Sequence, residues 1–347
     1  MSGSSSSQAM LRCGVAEADS TGRYERYHMS ISNPHPMKIV YEGIDQLTGI
    51  KINWCKIVLG LSTEEEETRK KKFNDYCDEP WLLQSLQHEN IIICYNYWPD
   101  DTHTLNTVHM ITEAFSSENL RDYSLKYNLV GNKQAIRRWC KQILSALDYL
   151  HSQNPPIMHR DVSLENIFIN GNTGKVKLGE FGAAIKLEEG ADLQEFAGAP
   201  EYMAPEIFQL DYNQKADIYS FGMCVIQMMS RDKIYSECRN RVEIQSRVQR
   251  GVKPDALERV TDTEIRRFID FCLAGQNDRP AASDLLRNPL ILSEDGFQGI
   301  QTGKSSSGSA DADERQCEMT LGGGGGGSKP LWRQKLSKLS SIMRKKK

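Results

Sequence analysis

Apolar positions recur with a period of two in the first third of the chain and at helical spacing through most of the rest. Ile39-Val40-Tyr41 and Ile52 to Val58 are rich in β-branched and aromatic residues and predict two strands. Asp45-Gln46-Leu47-Thr48-Gly49 between them reads as a hairpin turn. Ile91 to Trp98 and Thr107 to Ala114 predict two further strands. Ser62-Thr63-Glu64-Glu65 is a capping-box pattern that opens a helix. On that helix Glu65/Arg69, Glu66/Lys70 and Glu67/Lys71 pair at i,i+4 along a solvated face. Pro80 lacks a backbone donor and predicts a kink or break in the same helical region. After Asn119 the period lengthens: Ile136, Trp139, Cys140, Ile143, Leu147 and Leu150 form one core-facing stripe. The run Asp217 to Met229 is nearly apolar all round, the mark of a helix buried on every side. Helical segments at Thr263 to Cys272 and Ala281 to Arg287 close the pattern near Leu292.

Both ends of the chain drop the pattern. The first 20 residues are small and polar, and 293–328 are polar with six consecutive glycines at 322–327. Neither stretch has the composition to form a core. Residues 329–347 carry eight Lys/Arg and no acid; against a chain total of −3, the remainder stands at −11. That acidic balance disfavours a nucleic-acid face on the main domain. On a helix, Trp332, Leu336, Leu339 and Met343 align on one side of the basic tail. Such a segment suits an anionic membrane surface or a calmodulin-like groove. A nuclear-import signal and a plain solvated tail are the other readings. No apolar run approaches the ~18 residues of a membrane span, and the serine-rich start lacks a signal peptide's apolar stretch. Nine cysteines without Cys-x-x-Cys pairs point to a reducing compartment rather than to disulfides or zinc.

The candidate chemistry lies in 159–182, His-Arg-Asp-Val-Ser-Leu-Glu-Asn through Gly-Glu-Phe-Gly. Asp161 stands five residues before Asn166, and Glu180-Phe181-Gly182 begins fourteen beyond that Asn. Met203-Ala204-Pro205-Glu206, Asp217 and Arg279 in Asn-Asp-Arg-Pro follow in order. Over about 23–292 this series resembles the protein kinases, in which such spacing sets a base, a metal-binding Asn and a metal-binding acid in one cleft. Within them the chain most resembles the plant members of the With-No-Lysine (WNK) family. Ile52-Asn53-Trp54-Cys55 places Cys where other kinases carry their phosphate-binding Lys, and Lys38-Ile39-Val40-Tyr41 supplies a displaced Lys. Thr21-Gly22-Arg23-Tyr24, Asn166 to Thr173 and Asp217 to Cys224 are also family-like.

The resemblance implies an α+β, bilobal protein kinase fold with disordered termini. It divides the chain into a disordered 1–22, a small lobe 23–113, a large lobe 114–292, a linker 293–328 and the basic tail 329–347. It implies ATP and Mg²⁺ as cofactors, with Asp161 as base and Asn166 and Glu180 on the metal. Lys38 would take phosphate and pair with Glu79, and Val40 and Cys55 would line the nucleotide site. Thr112 is the gatekeeper, and Glu113 to Phe115 form the hinge that meets adenine.

Several positions depart from the family. The glycine-rich loop has become Asn33-Pro34-His35-Pro36-Met37, which removes N–H donors. Asn53 adds bulk where a small residue faces adenine. Glu180 replaces the metal-binding Asp, and its extra methylene moves the carboxylate by ~1.5 Å. Ser163 and Ala199 replace the Lys and Thr that hold the catalytic Asp. Between Gly182 and Glu201 no Ser, Thr or Tyr offers a phosphorylation site, and Glu195 falls where the family has its activating Ser. The expectation is a catalytically impaired kinase domain, a pseudokinase, that signals through protein partners in the cytoplasm. The alternatives are an active serine/threonine kinase, and an interaction protein tethered by its tail to a membrane or partner, with nuclear or peripheral-membrane placement.

Overall fold

The computed structural model describes residues 14–31, 38–58, 77–100, 107–115, 118–188, 196 and 198–292. The proline-bearing loop, the charged 62–72 stretch, Glu195, the linker and the basic tail lie outside the described residues.

The small lobe is an antiparallel sheet of β1 (Val15–Ala18), β2 (Tyr24–Ile31), β3 (Lys38–Asp45), β4 (Lys51–Val58), β5 (Cys94–Asp100) and β6 (Thr107–Glu113). Its order is β1-β2-β3-β4-β6-β5. Val15 to Ala18 correct the expectation that 1–22 is disordered. Val15 is buried, and Glu17 anchors the strand through Arg26 (2.7 Å) and Lys56 (3.0 Å). The β3–β4 turn forms as expected: Asp45 Oδ1 accepts from Leu47 N at 2.9 Å, and Gly49 takes a φ of +72° open to glycine. Helix α1 spans 77–85, and Pro80 sits within it. The expected break at Pro80 is absent, since helical backbone runs on both sides of it through 85.

Beyond Glu113 the chain turns helical. Helices α2 (Leu120–Lys126), α3 (Lys133–His151), α4 (Lys215–Met228), α5 (Arg241–Gln249), α6 (Thr263–Cys272), α7 (Ala282–Leu286) and α8 (Pro289–Leu292) build the large lobe. Short strands β7 (Glu118–Asn119), β8 (Ile157–Met158), β9 (Ile167–Asn170), β10 (Lys175–Leu178) and β11 (Ile185–Lys186) lie on it. Asn119 and Asn132 cap α2 and α3 through side-chain acceptors. From Ala216 to Met228 every residue of α4 is buried, so this helix is the axis of the lobe's core. None of the described helices is long and apolar enough to cross a membrane.

Candidate active site

Period-two alternation builds the roof of the site. In β3, Lys38 and Val40 are buried and Ile39 is exposed, and the register pairs Val40 with Cys55 and Lys38 with Ile57. Lys38, Val40, Cys55 and Ile57 therefore share one face of the sheet. Lys38 Nζ donates to Glu79 Oε1 of α1 at 3.1 Å and to Glu180 Oε2 at 2.8 Å. Burial alone would push the Lys38 ammonium down; Glu180 and Glu79 outweigh it and hold its pKa well above the usual lysine range. The Cys55 thiol beside them is pushed up to about 12 by burial, so it is a neutral wall rather than a nucleophile.

The floor comes from the two loops flanking β9 and β10. Asp217 fixes the first from below, accepting from His159 N (2.8 Å), Arg160 N (2.9 Å) and His151 Nε2 (2.9 Å). Asn166 Nδ2 donates to Asp161 O (2.8 Å) and to Asp161 Oδ2 (2.7 Å). Burial raises the Asp161 pKa and Glu180 adds to the rise, while His159, Asn166 and the Ala199 N–H oppose it. Glu180 has a left-handed backbone at φ +57°, followed by a single 3₁₀ turn, Phe181–Ala183. Phe181 is buried, with its ring 4.7 Å from that of His159 and nearly perpendicular to it.

The structure thus brings Lys38, Val40, Cys55, Glu79, Asp161, Asn166 and Glu180 to one cleft. Thr112 is buried at the end of β6, opposite Asn53 of β4, which is half-buried. Glu113 and Phe115, expected from the sequence to form the hinge, stand where the sheet ends, against a residue that sequence reasoning missed. Buried Lys177 of β10 donates to Glu113 Oε1, and its Nζ lies 5.4 Å from the Phe115 ring centroid. Its alternation with Val176 reads as an ordinary solvated lysine, so nothing local marks it. Gly198 was also missed. A Cβ there would stand 2.7 Å from Arg160 O and 2.9 Å from Asp161 Oδ1, at a φ of +95°. Ser163 is buried and brings no charge to Asp161. Farther down, Arg279 pairs through both Nη atoms with Glu206.

The oxygen donors of Asn166 and Glu180 suit a hard divalent cation in kind. With Asn166 Nδ2 turned to Asp161, its Oδ1 remains as ligand atom, whereas the Glu180 carboxylate is shared with Lys38.

A lysine–glutamate pair under a curled sheet, facing an Asp–Asn loop and an acid-Phe-Gly turn, defines a protein kinase cleft. A family model for the protein kinase domain matches residues 40–291. A probable serine/threonine-protein kinase WNK6 of Oryza sativa subsp. japonica is 46% identical over 286 residues, covering 81% of this chain and 62% of the relative. Serine/threonine-protein kinase WNK8 of Arabidopsis thaliana is 39% identical over 301 residues, 87% of this chain and 52% of the relative. The probable WNK10 of the same plant is 39% identical over 309 residues, 89% and 57%. The chain belongs to the protein kinase family, and within it to the plant WNK kinases. It spans about half to three-fifths of the length of these curated relatives.

Proposed function

We propose that the chain is a WNK-type kinase domain whose phosphoryl transfer is strongly impaired and which acts in signalling through protein contacts. The observation that carries this reading is the Glu180 carboxylate on Lys38 at 2.8 Å. Glu180 is thereby a counter-ion of the phosphate-binding lysine, and its side chain is one methylene, ~1.5 Å, longer than the Asp of the family. Mg²⁺ tolerates such a change of reach poorly, and ~1 Å of error can cost ~100-fold in rate. Asp161 adds to the case. It holds an amide and a backbone N–H where kinases supply a lysine, so a substrate hydroxyl would meet a base without its usual cation. When bound, ATP supplies the phosphoryl group and Mg²⁺ neutralises its charge; Lys38, Asn166 and Glu180 are the side chains that would hold them.

The Lys38–Glu79 pair at 3.1 Å favours a second reading, an active serine/threonine kinase, because that pair must be in place for transfer. Radiolabelled ATP transfer by the purified chain, with Asp161→Asn as control, separates the two. Background-level transfer is expected. Turnover of ~1–100 s⁻¹, usual for kinases, that Asp161→Asn abolishes would overturn the impaired reading.

The charge and apolar face of 329–347 support docking of the tail on an anionic membrane or in a calmodulin-like groove. Residues 1–328 are then expected to pellet less with anionic liposomes than the full chain. Equal pelleting removes the membrane reading.

A further inference from the structure

A cavity of about 440 Å³ opens in the large lobe, outside the nucleotide cleft, lined by Glu206, Tyr219, Lys253, Gln276 and Arg279 among others. Arg279 is saturated. Its Nε and Nη2 reach Ala274 O at 3.2 and 2.9 Å, Nη1 reaches Lys215 O at 2.9 Å, and both Nη atoms hold Glu206. Lys253 is not. Its Nζ lies 4.6 Å from the Tyr219 ring centroid and donates only to neutral oxygens, Tyr219 Oη and Leu273 O, each at 3.3 Å. Among the described residues no carboxylate stands within ion-pair distance of it, and Glu206 is taken by Arg279. Burial, reinforced by the Arg279 charge, pushes the Lys253 ammonium down to about 8. In the same lining, Gln276 Oε1 is buried with no hydrogen-bond partner.

A half-buried ammonium that Glu206 and Asp270 reach only at longer range, with no carboxylate in contact, and a buried acceptor without a donor are both costly. A water would satisfy Gln276 and leave Lys253 without a contact anion. A carboxylate would do the reverse. A phosphate that keeps one hydroxyl, or carries an alcohol on its ester, answers both. We propose that this cavity binds a small phosphate or phosphate monoester, whose anionic oxygens accept from Lys253 Nζ while a ligand hydroxyl donates to Gln276 Oε1. Glu206 and Asp211 in the lining disfavour a polyphosphate. The assignment is independent of whether the kinase cleft transfers phosphate.

The test titrates the full chain with inorganic phosphate and, separately, with glycerol phosphate, following thermal unfolding against chloride at matched ionic strength. Stabilisation is expected in the wild type and in Lys38→Met, which removes the phosphate-binding lysine of the nucleotide cleft. Lys253→Met should weaken binding ~10-fold, the worth of a charged hydrogen bond, and Gln276→Leu by less. Lys253→Arg should restore it, so a poorly folded Lys253→Met leaves two other variants to decide. Tighter binding of the ester supports a phosphorylated metabolite, and equal binding supports inorganic phosphate. No stabilisation, a midpoint in phosphate left unchanged by Lys253→Met, or loss of stabilisation in Lys38→Met overturns the assignment.

Discussion

Asp161 carries a carboxyl whose pKa burial raises despite the Asn166 amide and the Ala199 N–H. Its ionisation therefore opposes folding. That cost is absent below the ordinary aspartate range, where native and unfolded states both hold the proton. It is complete once the pH exceeds the native value. Asp161→Asn removes the charge, so the variant should be more stable than wild type at pH 7, by up to ~1 kcal/mol, and no more stable at pH 3. Denaturant unfolding at the two pH values measures this; a variant less stable at pH 7 would show that the Asn166 and Ala199 bonds outweigh burial. Asp161, Asn166, Glu79 and Lys38 were legible in the sequence because kinase chemistry fixes their spacing and strand phase. Lys177 and Gly198 were not. Their importance lies in contacts with Glu113 and with Asp161, which tertiary packing creates and no local pattern records.

Elements are legible where the apolar pattern is unambiguous: the helical stripe of α3 and the all-apolar run of α4 both predict the burial observed, whereas the four residues of β1 hold one buried position and no clear alternation. Pro80 does not break the helix, whose backbone runs through it from 77 to 85, although a proline there removes a donor and crowds the preceding turn. Gly222 of α4 tests the packing against α6. Alanine there gains ~0.5–1 kcal/mol of helix propensity. Its Cβ, however, would lie 2.6 Å from Cys272 Cβ and 3.0 Å from Leu273 Cδ2. Overpacking of that kind costs ~1–3 kcal/mol, so Gly222→Ala should be net destabilising in urea. The β3–β4 turn gives a pH test. Arg23 bonds Asp45 at 3.0 and 2.8 Å and holds its carboxyl at about 2. A depressed acid stabilises above the ordinary aspartate range, and that stability is lost as pH falls from there toward 2. Because the Arg23 side chain is 41% exposed, screening reduces the effect. Asp45→Asn should cost ~1 kcal/mol at pH 7 and nothing once pH falls below about 2.

At the scale of the molecule, the Lys38–Glu180 pair ties the small lobe's β3 to the turn after β10 in the large lobe. A nucleotide phosphate, if bound at Lys38, would compete with Glu180 for one ammonium, and a metal on Glu180 would compete with Lys38 for one carboxylate. Two substitutions at the same position separate these competitions. Glu180→Gln removes one of the two counter-ions of Lys38 and leaves Glu79, so metal-free ATP should bind more tightly, by ~10-fold if one charged contact is exchanged, with no further gain on adding Mg²⁺. Glu180→Asp draws the carboxylate back by ~1.5 Å, so its gain should require Mg²⁺ and appear in transfer as well as in binding. Calorimetric titration of both variants with ATP, with and without Mg²⁺, reads the difference directly. If Glu180→Gln leaves metal-free binding unchanged, the contact does not restrain Lys38. If Glu180→Asp restores binding without transfer, the defect lies with Ser163 and Ala199 around Asp161 rather than with the metal-side acid.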